Sequence, residues 1–207
     1  IGSHLKKDIS LVEAVRKSVK RLDGAHIEFL KGIENPIGIK VGPSTKTDEL
    51  LKILDVLNPN NESGKITLIC RMGHEKVGSM LPNIVNTIHK SGKDVVWTCD
   101  PMHGNTIKSN TGYKTRPLKD IISEIHQFFQ IHRSEGTYPG GVHLEMTGQD
   151  VTECMGGLQE ITDQDLQNRY HTYCDPRLNA SQSLELAFLL SDFLKEEKLL
   201  SKQSSNL

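Results

Sequence analysis

The sequence predicts an α/β fold with parallel strands, on two observations. Short β-branched runs alternate with longer segments of helical periodicity. Each run ends abruptly in a polar loop, often punctuated by Pro or Gly. The clearest case is residues 94–106 (DVVWTCDPMHGNT), where Val95, Val96 and Trp97 give way to Cys99, Asp100, Pro101, Met102, His103, Gly104 and Asn105. A buried strand ending in such a loop is how α/β folds build sites.

The elements follow in order. Residues 8–22 place Leu11, Val12, Val15, Val19 and Leu22 at helical spacing, and Asp23 and Gly24 break the run. Residues 25–33 form a second short helix, ended by Asn35 and Pro36 because the residue before proline avoids the helical region. Ile37–Val41 (IGIKV) is a strand closed by Gly42 and Pro43. Thr47 or Asp48 caps a helix that runs to Leu57, with Leu50, Leu51, Leu54 and Leu57 on one face. Ile66–Cys70 (ITLIC) is the next strand. Residues 76–91 form a helix despite Pro82, with Gly92 as its C-cap. Residues 94–99 are a strand and 101–117 a long polar loop. Residues 118–132 form an amphipathic helix, 136–141 (GTYPGG) a turn and 142–146 (VHLEM) a strand. A polar, Gly-rich loop over 147–163 leads to a short strand at 170–174 and a last helix at 182–195. The polar tail 196–207 is expected to fray. Five strands are fewer than the eight of a closed (β/α)8 barrel of about 250 residues. The order fits an open parallel sheet or part of a barrel.

Composition narrows the function classes. A net charge of −1 argues against nucleic acid or an anionic membrane as partner. No window approaches the roughly 20 apolar residues of a membrane span. The opening IGSHLKKD is too polar for a signal peptide, and a start at Ile rather than Met reads as a trimmed, processed or partial chain. The cysteines at 70, 99, 154 and 174 form no CxxC pair, which points to free thiols in a reducing, cytoplasmic compartment.

Charge recurs at the C-terminal ends of the strands. Lys40 lies in the first, Arg71 follows the second, and Asp100 and His103 follow the third. His143 and Glu145 lie in the fourth, and Asp175 and Arg177 follow the fifth. That edge is where parallel α/β folds place their sites. Singly, each has a plain structural reading: His103 as a loop tether, Glu145 as a surface carboxylate, Asp175 as a turn residue before proline, Lys40 as a solvated side chain, Arg71 as a tether. Together, two cations and three metal-type ligands at equivalent positions point to an anionic substrate beside a divalent ion. One imidazole with two carboxylates suits Mn²⁺, Fe²⁺, Co²⁺ or Zn²⁺ better than Mg²⁺ or Ca²⁺. The cysteines read as small buried thiols, none assigned to the metal. No GxGxxG or P-loop motif is present.

Seven stretches carry a resemblance: residues 35–43 (NPIGIKVGP), 67–73 (TLICRMG), 94–106, 112–116 (GYKTR), 139–148 (PGGVHLEMTG), 151–157 (VTECMGG) and 169–188 (RYHTYCDPRLNASQSLELAF). Over residues 22–195 the chain resembles class II 3-deoxy-D-arabino-heptulosonate 7-phosphate (DAHP) synthase. The resemblance implies a TIM-type (β/α)8 barrel with a divalent metal, commonly manganese. It implies condensation of phosphoenolpyruvate with erythrose 4-phosphate, the first step of the shikimate pathway. It carries the metal ligands to His103, Glu145 and Asp175, and phosphoenolpyruvate binding to Lys40 and Arg71. Lys114, in the KTR stretch, is a further substrate-site candidate. The compartment implied is the cytoplasm, or the plastid in a plant.

The chain also departs from the family. Family members are about twice as long, their fourth metal ligand is an early Cys matched by no stretch here, and further substrate-binding Arg residues fall in the same unmatched half. Where the family carries a GERTR-like motif, this chain reads Arg16, Lys17, Ser18, Val19 and Lys20. The expectation is therefore a partial barrel, about strands four to eight, over residues 23–195. A divergent helical lead-in over 1–22 precedes it and the polar tail follows. Its open edges would be covered by a homo-oligomer or a complementing chain, and turnover by this chain alone would be weak or nil.

Overall fold

The structure is a computed structural model and describes residues 25–204. The expected helix over 8–22, with the divergent 16–20 stretch, lies outside the described residues. The described elements alternate as the sequence predicts: α1 (Ala25–Lys31), β1 (Ile37–Val41), α2 (Thr47–Leu57), β2 (Ile66–Cys70), α3 (Val77–Lys90), β3 (Val96–Cys99), a short hairpin of β4 (Ile107–Lys108) and β5 (Lys114–Thr115), α4 (Leu118–Ser134), β6 (Pro139–Val142) and α5 (Ala180–Ser204). Four strands form one parallel sheet in the order β1-β2-β3-β6. Strand alternation sends Ile37, Ile39, Val41, Ile66, Leu68, Cys70, Trp97 and Cys99 into the core built with α2, α3 and α4. Lys40, Ile69 and Thr98 sit side by side in register on the opposite face. Among the described residues, no helix is long and apolar enough to cross a membrane.

Neither Thr47 nor Asp48 caps α2: both lie in its first turn, and the N-cap is Lys46, without a side-chain hydrogen bond. Four further expectations differ from the structure, each for a local reason. The fourth sheet strand lies at Pro139–Val142 rather than 142–146. Its Gly140 packs where a Cβ would come within 2.8 Å of the Trp97 carbonyl oxygen, so the stretch that reads as a turn is a strand needing a bare backbone at Gly140. Residues 170–174 form no strand. The backbone in and just after this stretch is tied instead to the buried Glu153, which accepts from the N–H groups of His171 (3.1 Å) and Arg177 (2.9 Å). The parallel bridge expected there falls later, between Met146 and Leu178. The long 101–117 loop contains the β4–β5 hairpin and a 3₁₀ turn at His103–Asn105. The last helix starts at Ala180, before the expected residue 182, and runs on to Ser204. Its start is fixed reciprocally: Gln182 donates its N–H to the Asn179 side chain (2.9 Å), and Asn179 donates its N–H to the Gln182 side chain (3.2 Å).

His132, on α4, is fully buried, with ring centroids 4.4 Å from Phe128 and 5.2 Å from Trp97. Its Nδ1 lies 2.7 Å from Thr137 Oγ1, and its Nε2 makes no hydrogen bond. Burial lowers its pKa from 6.5 to about 4. The unfolded chain therefore takes up a proton below 6.5 that the native state refuses until about 4. Native stability is lost as pH falls through that window, by about 3 kcal/mol in full. Compared with a His132→Phe variant, the chain is expected to lose this much more stability between pH 7.5 and 4, read by urea unfolding. Parallel pH profiles for the two proteins would reject the assignment.

Candidate metal and anion site

The site grows out of one row across the sheet. Val41, Cys70, Cys99 and Val142 stand in register at the C-terminal edge. Beyond them the ladder continues by one bond each: Arg71 N–H to the Val41 carbonyl (2.8 Å), Asp100 N–H to the Cys70 carbonyl (2.7 Å) and His143 N–H to the Cys99 carbonyl (2.7 Å). Successive strands thus end level and deliver Lys40, Arg71, Asp100 and His143 to the same edge.

Asp100 is the hub. It is fully buried and accepts from the N–H groups of Met102 (3.1 Å) and His103 (3.2 Å), which winds the 3₁₀ turn carrying His103. Its Oδ2 pairs with Lys40 Nζ at 2.5 Å and lies 2.7 Å from His103 Nδ1. Burial alone pushes the Asp100 carboxyl up, but His103 and Lys40 hold it well below the usual carboxylate range. With Nδ1 engaged by Asp100, His103 turns Nε2 outward, to 3.2 Å from Glu145 Oε1 and 3.7 Å from Asp175 Oδ2. The Asp100 and Glu145 hydrogen bonds raise the His103 pKa. Glu145 is raised by burial but lowered more by His103 and Arg116, to about 2. His143, nearby, is lowered by burial and by the Lys40 charge.

The structure thus brings His103, Glu145 and Asp175 together. One ligand atom from each lies within 4.8 Å of the others. Lys40 joins them through Asp100, and Arg71 Nη2 donates to the His103 carbonyl at 3.3 Å. Lys114 pairs with Asp175. Asp175 precedes the Met146–Leu178 bridge, so it reaches the triad from an irregular loop and not from a strand end.

Two contributors escape the sequence reading. Arg116 is fully buried beneath the triad and donates to Glu145 Oε2 (2.5 Å), the Pro176 carbonyl (2.5 Å) and Thr106 Oγ1 (2.9 Å). It lies at the end of the GYKTR stretch, where only Lys114 is read as a site residue. Glu124, fully buried on α4, accepts from the N–H groups of Met72 (2.8 Å) and Gly73 (2.9 Å) with one oxygen. Its other oxygen accepts from Asn105 Nδ2 (2.7 Å). Glu124 thereby ties the loop after Arg71 to the turn that carries His103.

The donor set fits a divalent metal. A histidine nitrogen and two carboxylate oxygens converge, and a carboxylate on the far ring nitrogen fixes the tautomer that leaves Nε2 free to ligate. The thiols of Cys70, Cys99 and Cys154 lie outside this triad. Burial raises all three above the ordinary thiol range, Cys154 to about 12.

Fold and site together define a parallel α/β chain that gathers a metal-type triad and buried cations at the C-terminal edge of its sheet. The model of the class-II DAHP synthetase family matches residues 15–191, and the chain belongs to that family. The phospho-2-dehydro-3-deoxyheptonate aldolase AroG of Mycolicibacterium smegmatis is 50% identical over 182 residues, covering 88% of this chain and 39% of the relative. The phospho-2-dehydro-3-deoxyheptonate aldolase of Streptomyces coelicolor is 50% identical over 183 residues, covering 88% and 41%. The chain spans about two fifths of the length of these relatives.

Proposed function

We propose that the chain carries the metal and phosphoenolpyruvate half of a DAHP synthase site, on about strands four to eight of a TIM-type barrel over residues 23–195. The observation that carries this reading is the convergence of His103, Glu145 and Asp175 on one side of Asp100, with Lys40 on the other. The substrates are phosphoenolpyruvate and erythrose 4-phosphate, the compartment is cytoplasmic, and the ion is Mn²⁺, with Co²⁺, Fe²⁺ or Zn²⁺ as substitutes. His103 Nε2, Glu145 Oε1 and Asp175 Oδ2 would hold the ion, which when bound supplies Lewis-acid polarisation of the aldehyde.

The chain's own residues do the rest. Lys40 and Arg71 bind the phosphate and carboxylate of phosphoenolpyruvate as preorganised cations and stabilise the charge that develops as phosphate leaves. Asp100 orients Lys40 and His103 together, so the anion subsite and the ligand set cannot shift independently. Lys114, half exposed and paired with Asp175, is a further substrate-site candidate.

Calorimetry with Mn²⁺ and phosphoenolpyruvate tests the reading. Both are expected to bind. His103→Ala should abolish Mn²⁺ binding, and Lys40→Ala should weaken phosphoenolpyruvate binding by at least about tenfold, the scale of one lost charge-assisted bond. Binding of neither ligand by the unsubstituted chain would sink the proposal. Phosphate release from the two substrates by this chain alone is expected to be weak or nil: a homo-oligomer would cover the open edges of the sheet, and only a complementing chain would add the remaining barrel strands. A second reading, a non-catalytic remnant that keeps these sites for a partner chain, is favoured by Arg16, Lys17, Ser18, Val19 and Lys20 in place of the GERTR-like motif. Turnover restored by joining the preceding part of a family sequence supports the first reading. Binding that still yields no turnover supports the second.

A further inference from the structure

The two carboxylates of the triad are each divided between two sides. Glu145 turns Oε1 to His103 Nε2 at 3.2 Å and gives Oε2 to Arg116 Nη1 at 2.5 Å. Asp175 turns Oδ2 to the same His103 nitrogen at 3.7 Å, while its Oδ1 pairs with Lys114 and lies 3.9 Å from Arg116 Nη2. Arg116 cannot swing away. Its guanidinium is also held by Thr106 Oγ1 and the Pro176 carbonyl, and its own carbonyl accepts from Met155 N–H at 3.1 Å. Arg116 Nη2, buried, makes no hydrogen bond and faces Asp175 Oδ1.

We infer that Arg116, helped by Lys114, is a positioning residue that restricts Glu145 and Asp175 to one ligand oxygen each and so selects a small transition-metal cation against Ca²⁺. This rests on the metal-site reading above and adds the source of its selectivity. Ca²⁺ needs about six to eight oxygens and commonly takes carboxylates with both. Here the second oxygen of each is already committed to a cation of the chain. Asp100, Glu145 and Asp175 are opposed by Lys40, Lys114 and Arg116, so net charge favours no dication over another and the choice falls to the donor set. What remains is one oxygen from each carboxylate and the imidazole nitrogen, a donor that suits Mn²⁺, Co²⁺, Fe²⁺ or Zn²⁺ better than the oxygen-preferring Ca²⁺.

The experiment measures Kd for Mn²⁺ and for Ca²⁺ by calorimetry on the 207-residue chain and on Arg116→Gln and Lys114→Met, with the Mn²⁺ electron paramagnetic resonance spectrum as a second readout. The unsubstituted chain is expected to prefer Mn²⁺ by at least about tenfold. Each variant should narrow that ratio severalfold, with a changed Mn²⁺ spectrum. Lys114 is half exposed, so Lys114→Met keeps the test open where loss of the buried Arg116 prevents folding. A Mn²⁺/Ca²⁺ ratio that stays the same in the folded variants overturns the inference alone, since a merely structural role would weaken both ions together. No Mn²⁺ binding by the unsubstituted chain overturns the metal-site reading and the inference with it.

Discussion

Gly104→Ala is expected to cost at least about 3 kcal/mol of stability and to weaken Mn²⁺ binding with it. Gly104 sits in the 3₁₀ turn directly after His103, and Gly73 follows β2 two residues beyond Arg71. The two backbones touch. A Cβ on Gly104 would lie 2.4 Å from Gly73 N, 2.8 Å from Gly73 Cα and 3.1 Å from the Met72 carbonyl carbon. These are main-chain atoms, so no rotamer change relieves the overlap. Neither side is free to retreat: Glu124 holds the Gly73 N–H, and Asp100 holds the His103 N–H. Gly73 itself has φ +86, a conformation that side chains rarely adopt. The contact brings the Arg71 loop against the His103 turn, so displacing it moves Arg71 and His103 together. Gly148→Ala is the control, since a Cβ there meets nothing within 4 Å and should change stability by no more than about 0.5 kcal/mol. Equal urea midpoints for the two variants would show that the loops yield without cost.

The sheet was legible where local chemistry and tertiary demand agree. IGIKV and ITLIC are β-branched, bounded by turn residues, and form β1 and β2 at the expected residues. β6 was misplaced because Pro139, Gly140 and Gly141 have turn chemistry, while the sheet needs Gly140 for its close approach to Trp97. Residues 170–174 have strand-like composition, yet the backbone around them spends its donors on Glu153, a partner that no local pattern reveals.

The candidate site divides in the same way. His103, Glu145 and Asp175 could be picked out because metal-type residues following β-branched runs are visible one at a time, and the structure brings them together. Asp100 was visible as a polar residue but not as the hub, because its partners Lys40 and His103 come from different elements. Arg116 was hidden because a buried guanidinium is explained only by acceptors from residues 145 and 176. Glu124 did leave a trace. Ile121, Glu124, Ile125 and Phe128 share the inward stripe of α4, and a carboxylate on such a stripe needs buried donors to meet it.

That requirement sets the cost of removing it. Glu124→Ala is expected to destabilise the chain by roughly 3–5 kcal/mol at neutral pH, because it leaves three buried donors without an acceptor: the N–H groups of Met72 and Gly73 and the side-chain amide of Asn105. Asn105 cannot turn its amide to compensate. Its oxygen accepts from His74 N–H at 2.9 Å, and its nitrogen also donates to the Pro101 carbonyl at 2.8 Å. The pH dependence gives the loss a signature. Burial, reinforced by the Asp100 charge, outweighs the three donors and raises Glu124 from 4.5 to about 7. The native state therefore holds this proton more tightly than the unfolded chain does. The resulting stabilisation is complete below about pH 4.5 and is lost as pH rises through about 7. Glu124→Ala should accordingly cost about 2 kcal/mol more at pH 5 than at pH 8, from the shift cited. His132 acts in the opposite sense over an overlapping window, so the chain's own pH–stability curve is flatter than either group alone would make it. Urea unfolding of the chain, of Glu124→Ala and of His132→Phe across pH 4–8 separates the two contributions. A pH-independent loss in Glu124→Ala would mean that this carboxyl stays ionised on its three donors throughout, and a loss under about 1 kcal/mol would mean that water replaces it.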